Sequence, residues 1–328
     1  MLKKIVAALV ALSAGLAAPA LARVEKMTVH SASVEGNLEG NTADRTVFVI
    51  LPDGYDAARK KRYPVLYFLH GFTSTAEEYM AYIPFDRALQ AAKLDLIIVV
   101  PDTNTRFGGS MYSNSPTSGM WEDFVTNDLI TYVDRNFRTR PERGSRGLAG
   151  HSMGGYGTFK LGMKRPDLFG ALYAMNPCCL VPRPVEAAEP RFEAMTLDQA
   201  LKGDFKVLAN FAVAAAWAPN PGKAPFYSDL ATHEGKPVPE VLAQWAANAP
   251  LAMVPQYLPA LRAMHGIGVD TGDTDFVRVD DEAMHAALVK FAVPHDWELY
   301  VGDHGNKVAE RFATVVLPFF AKHLKAGK

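Results

Sequence analysis

The 328 residues carry 34 lysines and arginines against 35 aspartates and glutamates, a formal net charge of -1, and 49% of them are apolar. That balance offers no basic footprint for nucleic acid and no polybasic membrane patch, while the length suits one large α/β domain with a sizeable core or two small domains. The only cysteines, Cys178 and Cys179, are adjacent, so no disulfide framework staples distant segments and stability must come from the core.

Residues 1–22 read as a signal peptide. Lys3 and Lys4 form a positive start, Ile5 to Ala18 is an apolar run too short for a comfortable membrane span, and Ala20-Leu21-Ala22 is a small-x-small cleavage site. The expectation is export to the periplasm or the medium, with a mature chain starting near Arg23. No other stretch reaches the roughly 18 apolar residues of a membrane helix. Nothing resembling a linker divides residues 23–328, which are expected to form a single domain.

From Glu25 to Gly36 the pattern alternates weakly, and Arg45 to Leu51 is a β-rich run closed by the turn signal Pro52-Asp53-Gly54; together they predict a hairpin at a sheet edge. Tyr63 to Leu69 is almost wholly apolar, as a strand covered on both faces would be, and runs straight into His70-Gly71-Phe72. Leu94 to Val100 predicts the next buried strand. A loop rich in Gly, Ser and Asn, from Thr103 to Met120, follows it and is longer than most connections. Ligands of such sheets bind beyond the carboxyl ends of the strands, so Asn104, Tyr112 and Trp121 are candidate substrate-binding residues, with plain packing the competing reading. Trp121 also shares a helical face with Phe124, Val125, Leu129, Ile130 and Val133, which suits a core role.

The chain is organised around Arg146 to Gly155. Gly150-His151-Ser152-Met153-Gly154 has the Gly-x-Ser-x-Gly spacing of a nucleophile elbow, where a strand turns so sharply into a helix that the serine is strained and its neighbours have no room for a Cβ. Behind the serine, Tyr156, Phe159, Leu161 and Met163 fit one broad apolar helix face before Arg165-Pro166-Asp167 ends it, and Phe169 to Met175 reads as another buried strand. In an elbow the Met153 amide sits at a helix N-terminus and points to where an oxyanion would form. The second donor belongs just after the His-Gly pair, at Phe72 or, as second choice, Thr73.

After Met175 the texture changes: Pro182 to Pro259 holds 11 of the 22 prolines, with apolar helical patches near Val207 to Trp217 and Val241 to Ala247. Proline-broken short helices between two strands predict a lid over residues 182–261. Phe226, Tyr227, Trp245 and Tyr257 are candidates to line an acyl or aryl pocket there, or to form the lid's own core. The vicinal cysteines are compatible with a strained disulfide or with two buried thiols, the second being favoured, and they make no metal site without further ligands.

His265 to Asp270 returns to strand character and delivers Thr271-Gly272-Asp273-Thr274-Asp275-Phe276. Asp275 and Asp273 compete as the acid of a triad, with Asp270 third. The loop lacks the alternating oxygen ligands and closing Glu of a calcium-binding loop. Val279 to Phe291 predicts an amphipathic helix, Trp297 to Val301 a last strand, and Gly302-Asp303-His304-Gly305-Asn306 a loop from which His304 can reach the elbow. His285, on a helix, reads as solvent-facing. The order Ser152, Asp275, His304 is that of an α/β-hydrolase.

Gly-His-Ser-Met-Gly-Gly, Leu-His-Gly-Phe, Asp-Thr-Gly-Asp-Thr-Asp and Gly-Asp-His-Gly-Asn together resemble the esterase family that includes esterase D, also known as S-formylglutathione hydrolase. Feruloyl and acetyl-xylan esterases and the antigen 85 mycolyltransferases belong to the same wider group. The resemblance runs from about Val47 to the C-terminus, and residues 182–261 match no specific motif. It implies an α/β-hydrolase fold: a mostly parallel central sheet with helices on both faces and an inserted helical lid. It places the nucleophile on Ser152, the base on His304 and the acid on Asp275, ahead of Asp273. The implied activity is hydrolysis of a small-molecule, saccharide or aryl ester through an acyl-serine, without metal or cofactor. An acyltransferase using the same intermediate and a non-catalytic binding module on the same scaffold are the alternatives.

Overall fold

The computed structural model describes residues 22–183 and 189–325. The predicted signal peptide therefore lies outside the described residues except for Ala22, as does the stretch 184–188 near the start of the predicted lid.

Eight strands form the central sheet: β1 (Arg23–His30), β2 (Asp44–Leu51), β3 (Val65–Leu69), β4 (Ile97–Pro101), β5 (Arg146–His151), β6 (Ala171–Met175), β7 (Gly266–Gly272) and β8 (Asp296–Tyr300). Their spatial order is β1-β2-β4-β3-β5-β6-β7-β8. The β1–β2 and β2–β4 pairs are antiparallel and the pairs from β4 to β8 are parallel, so the expected edge hairpin opens a mostly parallel sheet. This is an α/β-hydrolase fold.

The near-continuous apolar runs follow from burial on both faces. Along β3, Val65, Tyr67 and Leu69 point into one apolar core, with Val99 and Leu148, while Leu66 and Phe68 point into a second, with Phe85 and Phe312. Successive strand side chains leave on opposite faces, so a strand between two helical layers has no solvent-facing position to make polar.

Strand order reverses around β3: β4 lies on one side of it and β5 on the other. Side by side in register, with Leu69 opposite Gly150, β3 and β5 deliver His70-Gly71-Phe72 and Ser152 to the same edge. A crevice opens at such a switch point, beyond the strands' carboxyl ends. The segment between β6 and β7 is an insertion that includes helices Phe205–Trp217, Pro239–Ala247 and Leu258–Arg262. A buried lysine on the helix that follows Ser152 ties this insertion down. Lys160 pairs with Glu122 at 3.0 Å and donates to Asn248 Oδ1 at 2.9 Å and to Ser113 Oγ. Among the described residues no helix is long and apolar enough to cross a membrane.

Helix Met153–Lys164 packs so closely on β3 that a Cβ at Gly154 would lie 2.0 Å from the Leu69 carbonyl oxygen. That neighbour is backbone and cannot swing aside. Gly154→Ala is expected to cost about 3 kcal/mol or more, lowering Tm by roughly 6 °C or more in thermal unfolding; an unchanged Tm would show that the contact is not tight.

Candidate active site

Strand β5 is buried along its whole length and ends at His151; Ser152 follows with φ 56° and ψ -116°, and the helix starts at Met153. A non-glycine residue at positive φ is strained, and here the surroundings hold it. The Ser152 amide donates to the Met175 carbonyl at 3.0 Å, and the Ser152 carbonyl accepts from the amides of Tyr156 and Cys178. A Cβ at Gly150 would meet the Gly154 backbone at 2.4 Å, so both glycines of the motif are required by close approach.

The Ser152 hydroxyl donates to His304 Nε2 at 2.9 Å, and His304 Nδ1–H donates to the Asp275 carboxylate at 2.9 and 3.0 Å. Three residues up to 152 positions apart thus form one hydrogen-bonded chain. Asp275 is buried and also accepts from the Val277 amide at 3.0 Å and from the Asn176 side chain, which is itself held by the Tyr300 hydroxyl at 2.7 Å. Burial alone would raise its pKa, but the hydrogen bonds from His304, Val277 and Asn176 hold the carboxyl below its usual range.

The structure separates the three competing carboxylates. Asp273 accepts the Gly302 amide at 3.0 Å and so fastens the loop that carries His304. Asp270 is fully buried and bound by Arg311 at 2.7 Å and by the Tyr173 hydroxyl at 2.9 Å. Asp275 alone of the three meets the imidazole. The loop itself is wound around Asp303, whose carboxylate accepts the amides of Gly305 and Asn306 at 2.8 Å.

His151 had no role in the sequence reading. It is buried, accepts the Tyr79 hydroxyl at Nδ1 at 2.6 Å and donates from Nε2 to the His304 carbonyl at 2.7 Å. Burial, reinforced by the nearby His304, pushes its pKa down to about 3, so it stays neutral and keeps both hydrogen bonds. It pins the backbone of the loop to the elbow. Only its place inside the pentapeptide hinted at this.

The Thr73 amide donates to the Gly108 carbonyl at 2.7 Å and is already engaged. Among the described residues, neither the Phe72 nor the Met153 amide donates to a protein acceptor. The glycine-rich loop braces both. A Cβ at Gly109 would lie 2.5 Å from the Phe72 ring and 2.6 Å from the Met153 sulfur.

Two cavities meet at Ser152. The first, about 460 Å³, is lined by Thr73, Ser74, Glu78, Tyr82 and His304 among others. The second, about 300 Å³, has Met111, Cys178, Val181, Ala209 and Val213 in its wall and Arg183 and Asp280 as its charged members. Phe72, Phe205 and Phe276 border both, and the Phe276 ring lies 4.4 Å from that of His304.

The three expected substrate-binding aromatics line neither cavity, and this corrects the sequence reading. Tyr112 is fully buried and its hydroxyl donates to the His70 carbonyl at 2.9 Å, supporting the loop of Phe72 from behind. Trp121 is fully buried, donates to the Ser118 carbonyl and lies under the Arg45 guanidinium. Trp245 is buried where the insertion packs on the main core, neither in a pocket nor in a separate core of the lid. Phe205, Phe276 and Met111 were missed; nothing in their local sequence separates them from ordinary apolar residues. Among the described residues no cluster of three His, Cys, Asp or Glu side chains is placed to hold a metal.

With this geometry, comparison with known proteins becomes specific. The chain belongs to the family described as "Putative esterase", whose model matches residues 41–308. It is 34% identical over 136 residues to an endo-1,4-beta-xylanase/feruloyl esterase of Xylanibacter ruminicola, a match covering 38% of this chain and 18% of that one. It is 30% identical over 135 residues to the S-formylglutathione hydrolase of Bos taurus, covering 35% of this chain and 46% of that one. The matches therefore span less than half the length of these two relatives. A solved ferulic acid esterase shares the fold with a TM-score of 0.68 at 20% identity, over 93% of this chain and 99% of that one.

A further carboxyl lies near the Asp275 loop. Asp281, in the first turn of helix Arg278–Lys290, is fully buried with both oxygens unpartnered. Burial, with the charges of Asp275, Asp280 and Asp270 adding to it, pushes its pKa up to about 9. An unfolded aspartate titrates near 4, so the folded state binds an extra proton between about pH 4 and 9 and loses stability as pH rises through that window. Asp281→Asn removes this dependence. The variant is expected to gain roughly 1–3 kcal/mol more over the parent at pH 8 than at pH 5, read from denaturant unfolding at the two pH values; an equal effect at both would rule the assignment out.

Proposed function

We propose that this chain is a serine carboxylesterase that cleaves a carboxylic ester through an acyl-serine, with Ser152 as nucleophile, His304 as base and then acid, and Asp275 as the group that orients the imidazole. The observation that carries the reading is the continuous chain from Ser152 Oγ through both nitrogens of His304 to Asp275. Membership of an esterase family, and the feruloyl esterase and S-formylglutathione hydrolase named among the relatives, support it.

A serine hydroxyl is a weak nucleophile near neutral pH, so His304 Nε2 takes its proton as Oγ attacks the ester carbonyl. Asp275 fixes the tautomer with Nδ1 protonated and stabilises the imidazolium. The carbonyl oxygen becomes an oxyanion that the unengaged amides of Phe72 and Met153 are suited to receive, each worth about 3 kcal/mol. The imidazolium returns its proton to the ester oxygen, the C–O bond breaks and the alcohol leaves. Water, deprotonated by His304, then attacks the acyl-serine, and collapse frees the acid and restores the hydroxyl.

The direction of proton return assigns the two cavities. The leaving oxygen must face His304, which borders the first cavity and not the second. The alcohol therefore occupies the first cavity and the acyl group the second, closed over by Phe205, Ala209 and Val213 of the insertion, which serves as its lid. Such a wall selects an apolar or aryl acyl group of moderate size.

Ser152→Ala is expected to lower p-nitrophenyl acetate hydrolysis by roughly four orders of magnitude or more and to abolish fluorophosphonate labelling, with circular dichroism unchanged. Asp275→Asn should cost about three to four orders of magnitude in kcat, and Asp273→Asn far less because it holds only the loop; the reverse ranking overturns the choice of acid. The cavity assignment has its own test. Ala209→Phe is expected to depress kcat/KM for hexanoyl esters several-fold more than for acetyl esters of one alcohol, and equal losses would place the acyl group elsewhere.

A further inference from the structure

Cys178 and Cys179 follow the β6 strand end beside the elbow, and the Cys178 amide donates to the Ser152 carbonyl at 3.1 Å. Successive side chains of an extended segment point to opposite sides. Here Cys179 takes φ 60°, a left-handed conformation that a residue with a Cβ rarely adopts, and the two sulfurs converge to 2.8 Å. Both are partly exposed free thiols, and both line the second cavity together with Ser152. Arg183 is in the same wall. The Cys178 thiol as hydrogen-bond partner, with the Arg183 guanidinium assisting, holds Cys179 below the ordinary thiol range, while that contact and burial push Cys178 up. Neither cysteine has a part in the ester chemistry above, and a strained turn that pairs two thiols in a substrate wall is not needed to fill space.

We propose that Cys178 and Cys179 form a reversible oxidation site, closing to a vicinal disulfide by exchange with a low-molecular-weight disulfide and thereby reshaping the acyl cavity.

The thiolate of Cys179 attacks one sulfur of the small disulfide, giving a mixed disulfide and releasing one small thiolate, which takes a proton from solvent. Cys178 gives up its proton and attacks the Cys179 sulfur, displacing the second small thiol. The protein loses two protons and two electrons, and the small disulfide is reduced to two thiols. Bridged cysteines usually have Cα atoms about 4.4–6.8 Å apart, whereas consecutive residues stand about 3.8 Å apart. The ring is therefore strained and readily reduced, which makes the site reversible rather than structural. Closing it shortens the sulfur–sulfur separation from 2.8 Å to about 2.05 Å and locks the two side chains that line the cavity beside Ser152 into one ring. The consequence for acyl selectivity rests on the assignment of this cavity to the acyl group; the oxidation itself does not.

The test uses the full chain and oxidised glutathione. Intact mass is expected to fall by two hydrogens, both cysteines to become resistant to iodoacetamide, and dithiothreitol to restore both. Cys178→Ala and Cys179→Ala, each with one thiol left, should instead gain a single glutathione; if either fails to fold, peptide mapping of the parent decides alone. Two free thiols, or a stable glutathione adduct on the parent, would overturn the site. On oxidation of the parent the ratio of kcat/KM for hexanoyl over acetyl esters should change several-fold and return with dithiothreitol; a constant ratio with the disulfide formed would overturn the effect on the cavity. Absence of ester hydrolysis before oxidation would instead defeat the esterase reading, leaving the mass and alkylation results to judge the cysteine pair.

Discussion

At Gly154 the helix behind the serine lies against the end of β3 with no space for even a methyl group, 2.0 Å from the Leu69 carbonyl oxygen to where a Cβ would be. The spacing of the whole site depends on this contact. Strand register brings the turn carrying Ser152 and the turn carrying Phe72 to the same edge, and this contact sets how closely the helix behind the serine lies against the second of them. The strain at Ser152 is the local cost of the arrangement. It is held by two bonds on the β6 side, to the Met175 carbonyl and from the Cys178 amide, and by the first turn of the helix. A serine mounted this way has little freedom to relax toward an unstrained conformation that would withdraw its hydroxyl from the crevice.

The carboxylates near the sheet edge divide according to what each faces. Asp275 sees an imidazole, an amide N–H and an asparagine, all donors, and remains ionised despite burial. Asp270 sees Arg311 and Tyr173, yet its complete burial still lifts its pKa to about 6. Asp281 sees no donor and is driven to the neutral form. The three lie within twelve residues of one another in sequence, so composition says nothing about which of them carries charge. Donor geometry decides it, and the same geometry leaves a single negative charge directly on His304.

Much of this was legible in the sequence, and what was legible has a common physical origin. Strands buried on both faces must be apolar throughout, so β3 to β6 stand out as runs. Close backbone approach demands glycine at fixed spacing, so the elbow announces itself at Gly150 and Gly154. Asp275 and His304 could be placed after late strands because parallel sheets present their loops on one edge. Roles set by long-range contact were not legible. Tyr112, Trp121 and Trp245 have the composition of pocket residues, but each is turned into the core, and only a hydroxyl meeting the His70 carbonyl or an indole under Arg45 reveals it. His151 is the opposite case: a side chain in full view within the motif, whose partners at Tyr79 and His304 lie 72 and 153 residues away.

The hydrogen-bonded site and the cavity wall beside it come from different parts of this chain. Ser152, the Phe72 turn, Asp275 and His304 all stand at strand ends, so their relative positions are governed by sheet register and by backbone contacts that tolerate little change. The wall of the second cavity is drawn instead from the insertion, through Phe205, Ala209 and Val213, and from its root at Cys178 and Cys179. The two parts are not independent bodies. Lys160, one helix turn beyond the elbow region, is buried yet bonded at once to Glu122 of the core and to Asn248 of the insertion. Burial draws its pKa down to about 8, with Glu122 opposing the shift, so near neutral pH it still carries the charge that both partners require. A buried ammonium of this kind is a poor source of net stability but a strong source of register, because any misplacement of the insertion takes Asn248 away and leaves one of its N–H donors buried and unpaired. The wall of the second cavity is thereby referenced to the helix that follows Ser152, so a change at a wall residue such as Ala209 alters the cavity without moving the wall relative to the serine.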